Sequence, residues 1–185
     1  MDGTLTMSVH DFEHIRRELG IRPGKPILES LRAMPEADAK PLWAALDEME
    51  VYYASKARIM TGAIELLQQL QQDGCKLAIL TRNTMPVVGQ TLAACAIDHF
   101  FPREHILDRD ACKPKPAPDG IRHLLNLWQA DAEDTVMVGD YRFDLEAGRA
   151  AGVATVHVAS HGEDAWSELT DIRVEHLSEL HSYLN

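Results

Sequence analysis

No apolar run in this 185-residue chain approaches the ~20 residues that cross a bilayer, and no basic start followed by an apolar stretch marks a secretory leader. A soluble, cytoplasmic protein is therefore expected. Cysteine is scarce as well. The three present, Cys75, Cys95 and Cys112, are odd in number and lack C-x-x-C spacing, so neither a disulfide framework nor a cysteine zinc site is expected. That usage fits a reducing compartment. Positive charge falls short of negative: 18 Lys and Arg against 29 Asp and Glu leave a formal charge of −11. A nucleic-acid backbone or an anionic membrane would be repelled, and neither is expected as a partner. A small anionic ligand is not excluded, because a metal ion and a few local cations can invert the field inside one pocket.

What is present is the balance of a globular protein, with 25% charged and 45% hydrophobic residues. The length suits one substantial core with a small accessory lobe. The second half alternates short apolar runs with amphipathic stretches, the pattern of βαβ units in a parallel sheet. Strands are expected at Lys76–Leu80, Thr135–Val138 and Ala154–Val158, with a short one at Ile106–Leu107. Their continuous apolar character is what strands covered on both faces require. Helical spacing of Ile64, Leu66, Leu67 and Leu70 predicts a helix from Gly62 to Asp73 with Gly74 as its stop, and further helices run from Pro118 to Trp128 and from Arg142 to Ala151. Residues from about Met7 to Met60 differ: Ser8 can cap a helix running to Leu19 and ended by Gly20, and Pro26–Ala33 and Glu36–Lys56 continue in helical period. The tail from Asp164 to Asn185 is expected to hold a strand at Ile172–Val174 and a last helix.

Four short segments carry chemistry. Met1-Asp2-Gly3-Thr4 has the composition of a turn. Leu80-Thr81-Arg82-Asn83 lies at the C-terminal end of a buried strand, where a hydroxyl and free N–H groups can hold a phosphate oxygen or simply cap the next helix. In Lys113-Pro114-Lys115-Pro116-Ala117-Pro118 the prolines stiffen the chain and remove donors, so a lysine is held on a rigid loop ahead of a helix. An ammonium group there suits a phosphoryl group or a carboxylate, and a solvated linker is the alternative. In Gly139-Asp140-Tyr141-Arg142-Phe143-Asp144, one aspartate leaves a strand end and the second sits one helical turn on. Both can face one crevice and offer hard oxygen ligands suited to Mg²⁺, or both can merely serve a helix dipole.

In order and placement these segments resemble the four motifs of the haloacid dehalogenase (HAD) superfamily, and the resemblance covers nearly the whole chain. The helical insert resembles the cap of the subgroup containing phosphoglycolate phosphatases, β-phosphoglucomutases and 2-haloacid dehalogenases, in shortened form. The resemblance implies an α/β fold: a Rossmann-like three-layer parallel sheet formed by residues 1–6 and 61–185, with a small all-helical cap, residues 7–60. The family's first motif reads Asp-x-Asp-Gly-Thr, of which Met1-Asp2-Gly3-Thr4 supplies only x-Asp-Gly-Thr. The attacking carboxylate and the core's first strand are accordingly expected upstream of Met1, as is the true translation start.

By the same resemblance, Asp2 is the general acid and base, and its carbonyl is a metal ligand. Thr81 and the N–H of Arg82 bind the transferring phosphoryl group. Lys115, preferred over Lys113, steadies that group and the nucleophile. Asp140 binds Mg²⁺ with Asp144 in support. The implied function is a Mg²⁺-dependent phosphatase that hydrolyses a small phosphorylated metabolite through an aspartyl-phosphate intermediate, with residues 1–185 alone expected to be inactive. The alternatives are a phosphomutase of the same fold and a non-catalytic protein that binds phosphate and Mg²⁺. A dehalogenase is disfavoured, since that chemistry needs neither an acid at Asp2 nor a metal. Arg16, Arg17, Arg22, Lys25, Lys56 and Arg58 read as solvated helix faces and receive no role.

Overall fold

The computed structural model describes residues 1–7, 9–159 and 165–183, so Ser8, Asp164 and Asn185 lie outside the described residues. After an N-terminal turn come three helices: α1 (Phe12–Glu18), α2 (Ile27–Arg32) and α3 (Glu36–Ala54). The rest is α4 (Ala63–Gln72), β1 (Ile79–Leu80), α5 (Met85–Ala94), β2 (Ile106–Leu107), α6 (Asp119–Trp128), β3 (Val136–Gly139), α7 (Arg142–Ala151), β4 (Ala154–Val158), β5 (Ile172–Val174) and α8 (Leu177–Leu180), joined by short turns. This is the α/β alternation expected from the sequence. The expected ends of β2, β4, β5 and α7 coincide with the observed ones.

Among the described residues, every pairing between these strands is parallel. β1 pairs with β2 in the register Ile79 to Ile106, and β4 lies between β3 and β5 with Val138 opposite Val156 and Val156 opposite Ile172. Among the described residues these pairings make two sheets rather than one. A cavity of about 530 Å³ is lined by residues of both, among them Ile79, Leu80, Val136 and Val138, together with Leu67, Leu70, Met1, Thr4 and Leu5. The strand expected at Lys76–Leu80 shrinks to its last two residues. Its first half lacks a ladder partner: the Leu77 carbonyl meets Nδ1 of His105 at 3.0 Å, and the Lys76 ammonium donates to the Trp128 carbonyl at 2.7 Å.

The first three helices build their own apolar cluster from Ile15, Leu19, Ile21, Leu28, Leu31 and Leu46. α1 starts three residues later than Ser8 would place it, because Asp11 is the cap: its carboxylate accepts from the His14 N–H at 2.8 Å, satisfying a donor the helix leaves open. α3 packs on α5, one contact between the helical part and the rest. There the buried Arg109 guanidinium pairs with Asp47 and lies 3.5 Å from the Glu50 carboxylate, with its centre 5.4 Å from the Trp43 ring.

α7 lies close against β3 and β4 because Gly148 has no side chain. A Cβ on residue 148 would fall 2.6 Å from Thr155 Cγ2 and 3.1 Å from Met137 Cβ. Thr155 cannot swing away freely, since its hydroxyl donates to the Leu169 carbonyl at 2.6 Å. Gly148→Val is therefore expected to destabilise the protein by about 1–3 kcal/mol, read as a lower urea midpoint at unchanged slope.

Candidate active site

The N-terminal turn is wound tightly around one carbonyl. Met1 O accepts from the N–H groups of Thr4, Leu5 and Thr6, and Gly3 takes φ +75°, which a side chain would disfavour. The absence of a side chain matters a second way: a Cβ on residue 3 would lie 2.1 Å from Asp140 Oδ2. Thr4 Oγ1 donates to Asp140 Oδ1 at 2.8 Å, so the turn docks on the end of β3 through backbone and hydroxyl together. Asp2 faces the end of β1 instead. Its Oδ2 accepts from Asn83 Nδ2 at 2.6 Å and its Oδ1 from the Thr6 hydroxyl at 3.3 Å.

Thr81 extends β1: its N–H donates to the Leu107 carbonyl at 2.9 Å, and its buried hydroxyl accepts from the Asn83 N–H at 3.2 Å. The Arg82 guanidinium turns away to pair with Glu29 of α2 and lies over the Phe143 ring at 4.8 Å. On the proline loop the two lysines part company. Lys113 is largely exposed beside Asp119, whereas Lys115 is buried, donating to the Leu80 carbonyl at 2.8 Å and to Asp144 Oδ1. Asp144 Oδ2 accepts from the Tyr141 N–H at 3.1 Å, which closes the start of α7. Gly139 makes room for it, since a Cβ there would lie 2.2 Å from Asp144 Cβ.

All six residues singled out from the sequence, Asp2, Thr81, Arg82, Lys115, Asp140 and Asp144, line one cavity of about 290 Å³. Its opposite wall comes from the helical part: His10, Phe12, Ile15, Arg16, Ile27, Leu28, Leu46 and Glu50. Burial and the neighbouring Asp144 carboxylate push the Asp140 carboxyl above its ordinary value, against the Met1 ammonium, the Thr4 hydrogen bond and Lys115, which favour its charge. Burial also raises Glu50 to about 7, opposed by Arg109, while Asp47 and Asp2 add to the rise.

Among the described residues no group of three or more His, Cys, Asp or Glu side chains stands ready around one point to hold a metal. The donors present nevertheless suit a hard cation. Asp140 brings a carboxylate to the cavity that Asp2 also lines, and the Gly3 backbone comes close enough to Asp140 to leave no space for a side chain between them. The oxygens of Asp144 are already engaged by Lys115 and the Tyr141 N–H. Two parts of the arrangement carried no assigned role in the sequence: the Asn83 amide that holds Asp2 and the Thr4 hydroxyl that holds Asp140. Both sit inside the segments already singled out. Glu50 and His10 gave no such signal, because only the fold turns them toward the cavity.

Residues 10–158 match the family model of the haloacid dehalogenase-like hydrolases. An uncharacterized hydrolase of Saccharomyces cerevisiae is 29% identical over 192 residues, covering 97% of this chain and 86% of that one. The pyrophosphatase PpaX of Halalkalibacterium halodurans is 30% identical over 144 residues, covering 76% of this chain and 66% of the pyrophosphatase. Among solved structures, a hydrolase from Pseudomonas syringae superposes with a TM-score of 0.81 at 23% identity, covering 99% of this chain and 94% of that one. At that identity the likeness speaks for the fold.

The Lys115 and Asp144 side chains are 8% and 9% exposed. Removing one partner leaves the other charge buried without compensation. Lys115→Met should cost about 3–5 kcal/mol of stability, measured by urea unfolding. The double variant with Asp144→Leu should recover a good part of that loss.

Proposed function

Because the chain belongs to the haloacid dehalogenase-like hydrolases, we propose that its cavity performs Mg²⁺-assisted hydrolysis of a small phosphate monoester. The observation that carries the reading is that four separate segments bring Asp2, Thr81, Lys115 and Asp140 to one cavity. A turn, a helix cap, a proline loop and a strand end have no structural need to share a pocket. The related PpaX is named a pyrophosphatase, and both that activity and monoester hydrolysis are phosphoryl transfer to water.

In this mechanism Thr81 and the backbone N–H groups that follow β1 receive the equatorial oxygens of the phosphoryl group. Lys115, fixed by Leu80 and Asp144, places positive charge beside that group and beside the attacking carboxylate. The attacking group is assigned to the position before Met1, as the motif resemblance implies. Asp2 gives its proton to the leaving alcohol and later takes one from the water that frees the phosphate. Its hydrogen bond from Asn83 Nδ2 fixes the carboxyl in place for both transfers. Asp140 and the Asp2 carbonyl would hold Mg²⁺, with Asp144 in support through Lys115. The ion would neutralise charge on the phosphoryl oxygens. The helices α1–α3, within residues 7–60, act as a cap over the cavity and meet the leaving group.

Two outcomes test this reading. A version of the chain preceded by an apolar segment ending in aspartate should release phosphate from an aryl phosphate in Mg²⁺ and lose that activity in excess chelator. In it, Asp140→Asn should cut turnover by about a hundredfold or more while leaving the melting temperature close to that of the parent. Residues 1–185 alone should be far slower in the same assay. Equal rates for the two chains, or activity that survives the chelator, would mean that the roles are wrongly assigned.

A further inference from the structure

The wall contributed by the helical part is unusual for a site that takes a doubly charged group. Phe12, Ile27, Leu28 and Leu46 give it an apolar face, and Phe12 is 47% exposed although it lines the cavity. Among the described residues, the side-chain cations that line the cavity are all engaged. Arg16 donates to Glu13 at 2.7 Å and to the Lys25 carbonyl at 2.9 Å, Arg82 pairs with Glu29, and Lys115 is held by Asp144 and Leu80. The polar groups that remain on the wall are His10, whose buried Nδ1 and Nε2 atoms find no hydrogen-bond partner, and Glu50, whose Oε2 makes no hydrogen bond and lies 3.5 Å from the Arg109 guanidinium behind the wall. His10 stacks on Phe12, with ring centroids 5.5 Å apart and planes 12° from parallel.

Neither polar group offers positive charge. Burial pushes the His10 imidazole below its ordinary value, against the attraction of Asp2, so the ring is neutral near pH 7. Glu50 is neutral or negative. A leaving group bearing a carboxylate or a second phosphate would therefore lose its hydration against apolar carbon and a carboxyl, with no free side-chain cation among the described residues of the lining to meet it. An uncharged group with a flat apolar face would instead cover Phe12 and Ile27 and gain their burial. At about 290 Å³ the cavity holds a phosphoryl group and little more than one ring.

We propose that this wall selects phosphate esters whose leaving group is uncharged and presents an aromatic or other apolar face, with Phe12, Ile27 and Glu50 setting the preference. The proposal rests on the phosphatase reading above. It separates this chain from hydrolases of inorganic pyrophosphate and of short phosphorylated acids, whose leaving groups are anions.

Phosphonates that resist hydrolysis test it on residues 1–185 directly, by calorimetric titration in Mg²⁺. Methylphosphonate reports the phosphoryl subsite alone, and benzylphosphonate and phosphonoacetate add a ring or a carboxylate to the same carbon. Benzylphosphonate is expected to bind about tenfold tighter than methylphosphonate, and phosphonoacetate no tighter than methylphosphonate. Phe12→Ala should lower the benzyl-to-methyl affinity ratio about fivefold. Ile27→Lys, at a partly exposed position, should raise the phosphonoacetate-to-methyl ratio about tenfold. Wild-type protein that prefers phosphonoacetate, or variants that leave both ratios unchanged, would overturn the proposal while leaving the phosphatase reading intact. Failure of the wild type to bind methylphosphonate or inorganic phosphate would instead remove the phosphatase reading, and this proposal with it.

Discussion

The Lys115 ammonium donates to the Leu80 carbonyl at the end of β1 and to the Asp144 carboxylate at the start of α7. In doing so it joins two sheets that, among the described residues, are not hydrogen-bonded to each other. The tie is electrostatically demanding. An ammonium and a carboxylate withdrawn from water repay their desolvation only when geometry and extra hydrogen bonds are good. Here the Leu80 carbonyl and the Tyr141 N–H supply those bonds. Much of the cavity's order follows from it. Asp144 caps α7 in the same position that fixes Lys115, and Gly139 is needed because Asp144 comes so close to the strand.

The opposite side of the cavity is organised by a second close approach, that of the N-terminal turn to Asp140. Gly3 and Thr4 bring backbone and hydroxyl onto a carboxylate that burial and Asp144 already disfavour in its charged form. Folding alone gains little from crowding Asp2, Asp140 and Asp144 around one cavity. Fixed, desolvated carboxylates are costly unless a cation or a reacting group shares the space. The local pattern therefore argues for chemistry more strongly than any single motif does.

The sequence made much of this legible because strand ends and helix starts carry specific residue types. The apolar runs at Ile106–Leu107, Ala154–Val158 and Ile172–Val174 are strands with those limits, and Arg142–Ala151 is a helix with those limits. In each, the buried pattern and the closing residue agree, as with Gly152 at φ +82° after α7. Agreement fails where a tertiary contact decides. Lys76–Ala78 has the composition of a strand, but a ladder needs a neighbour, and the Leu77 carbonyl faces a histidine ring instead. The start of α1 moved because two nearby residues, Ser8 and Asp11, can both cap, and spacing alone does not choose between them. For the lysines, sequence offers two candidates two positions apart, and burial separates them. Glu50 is harder still: a glutamate in the middle of a long helix looks solvated until the facing Arg109 is known.

The net charge of −11 and the chemistry of the cavity act at different ranges. At physiological ionic strength exposed charges more than about 8 Å apart are largely screened, so the excess of acidic residues favours solubility and weighs little on binding inside the cavity. Inside the cavity, short contacts decide. One end holds a buried ammonium and carboxylates, which suit a phosphoryl group together with a cation. The other end holds a phenyl ring, aliphatic side chains and a carboxyl near neutrality, which suit neither. A ligand that satisfies both ends must be polar at one terminus and apolar at the other. The helices α1–α3 supply the second condition from a cluster packed independently of the sheets. Substitutions in that wall can therefore change what is accepted without disturbing Lys115, Asp144 or the turn that docks on Asp140.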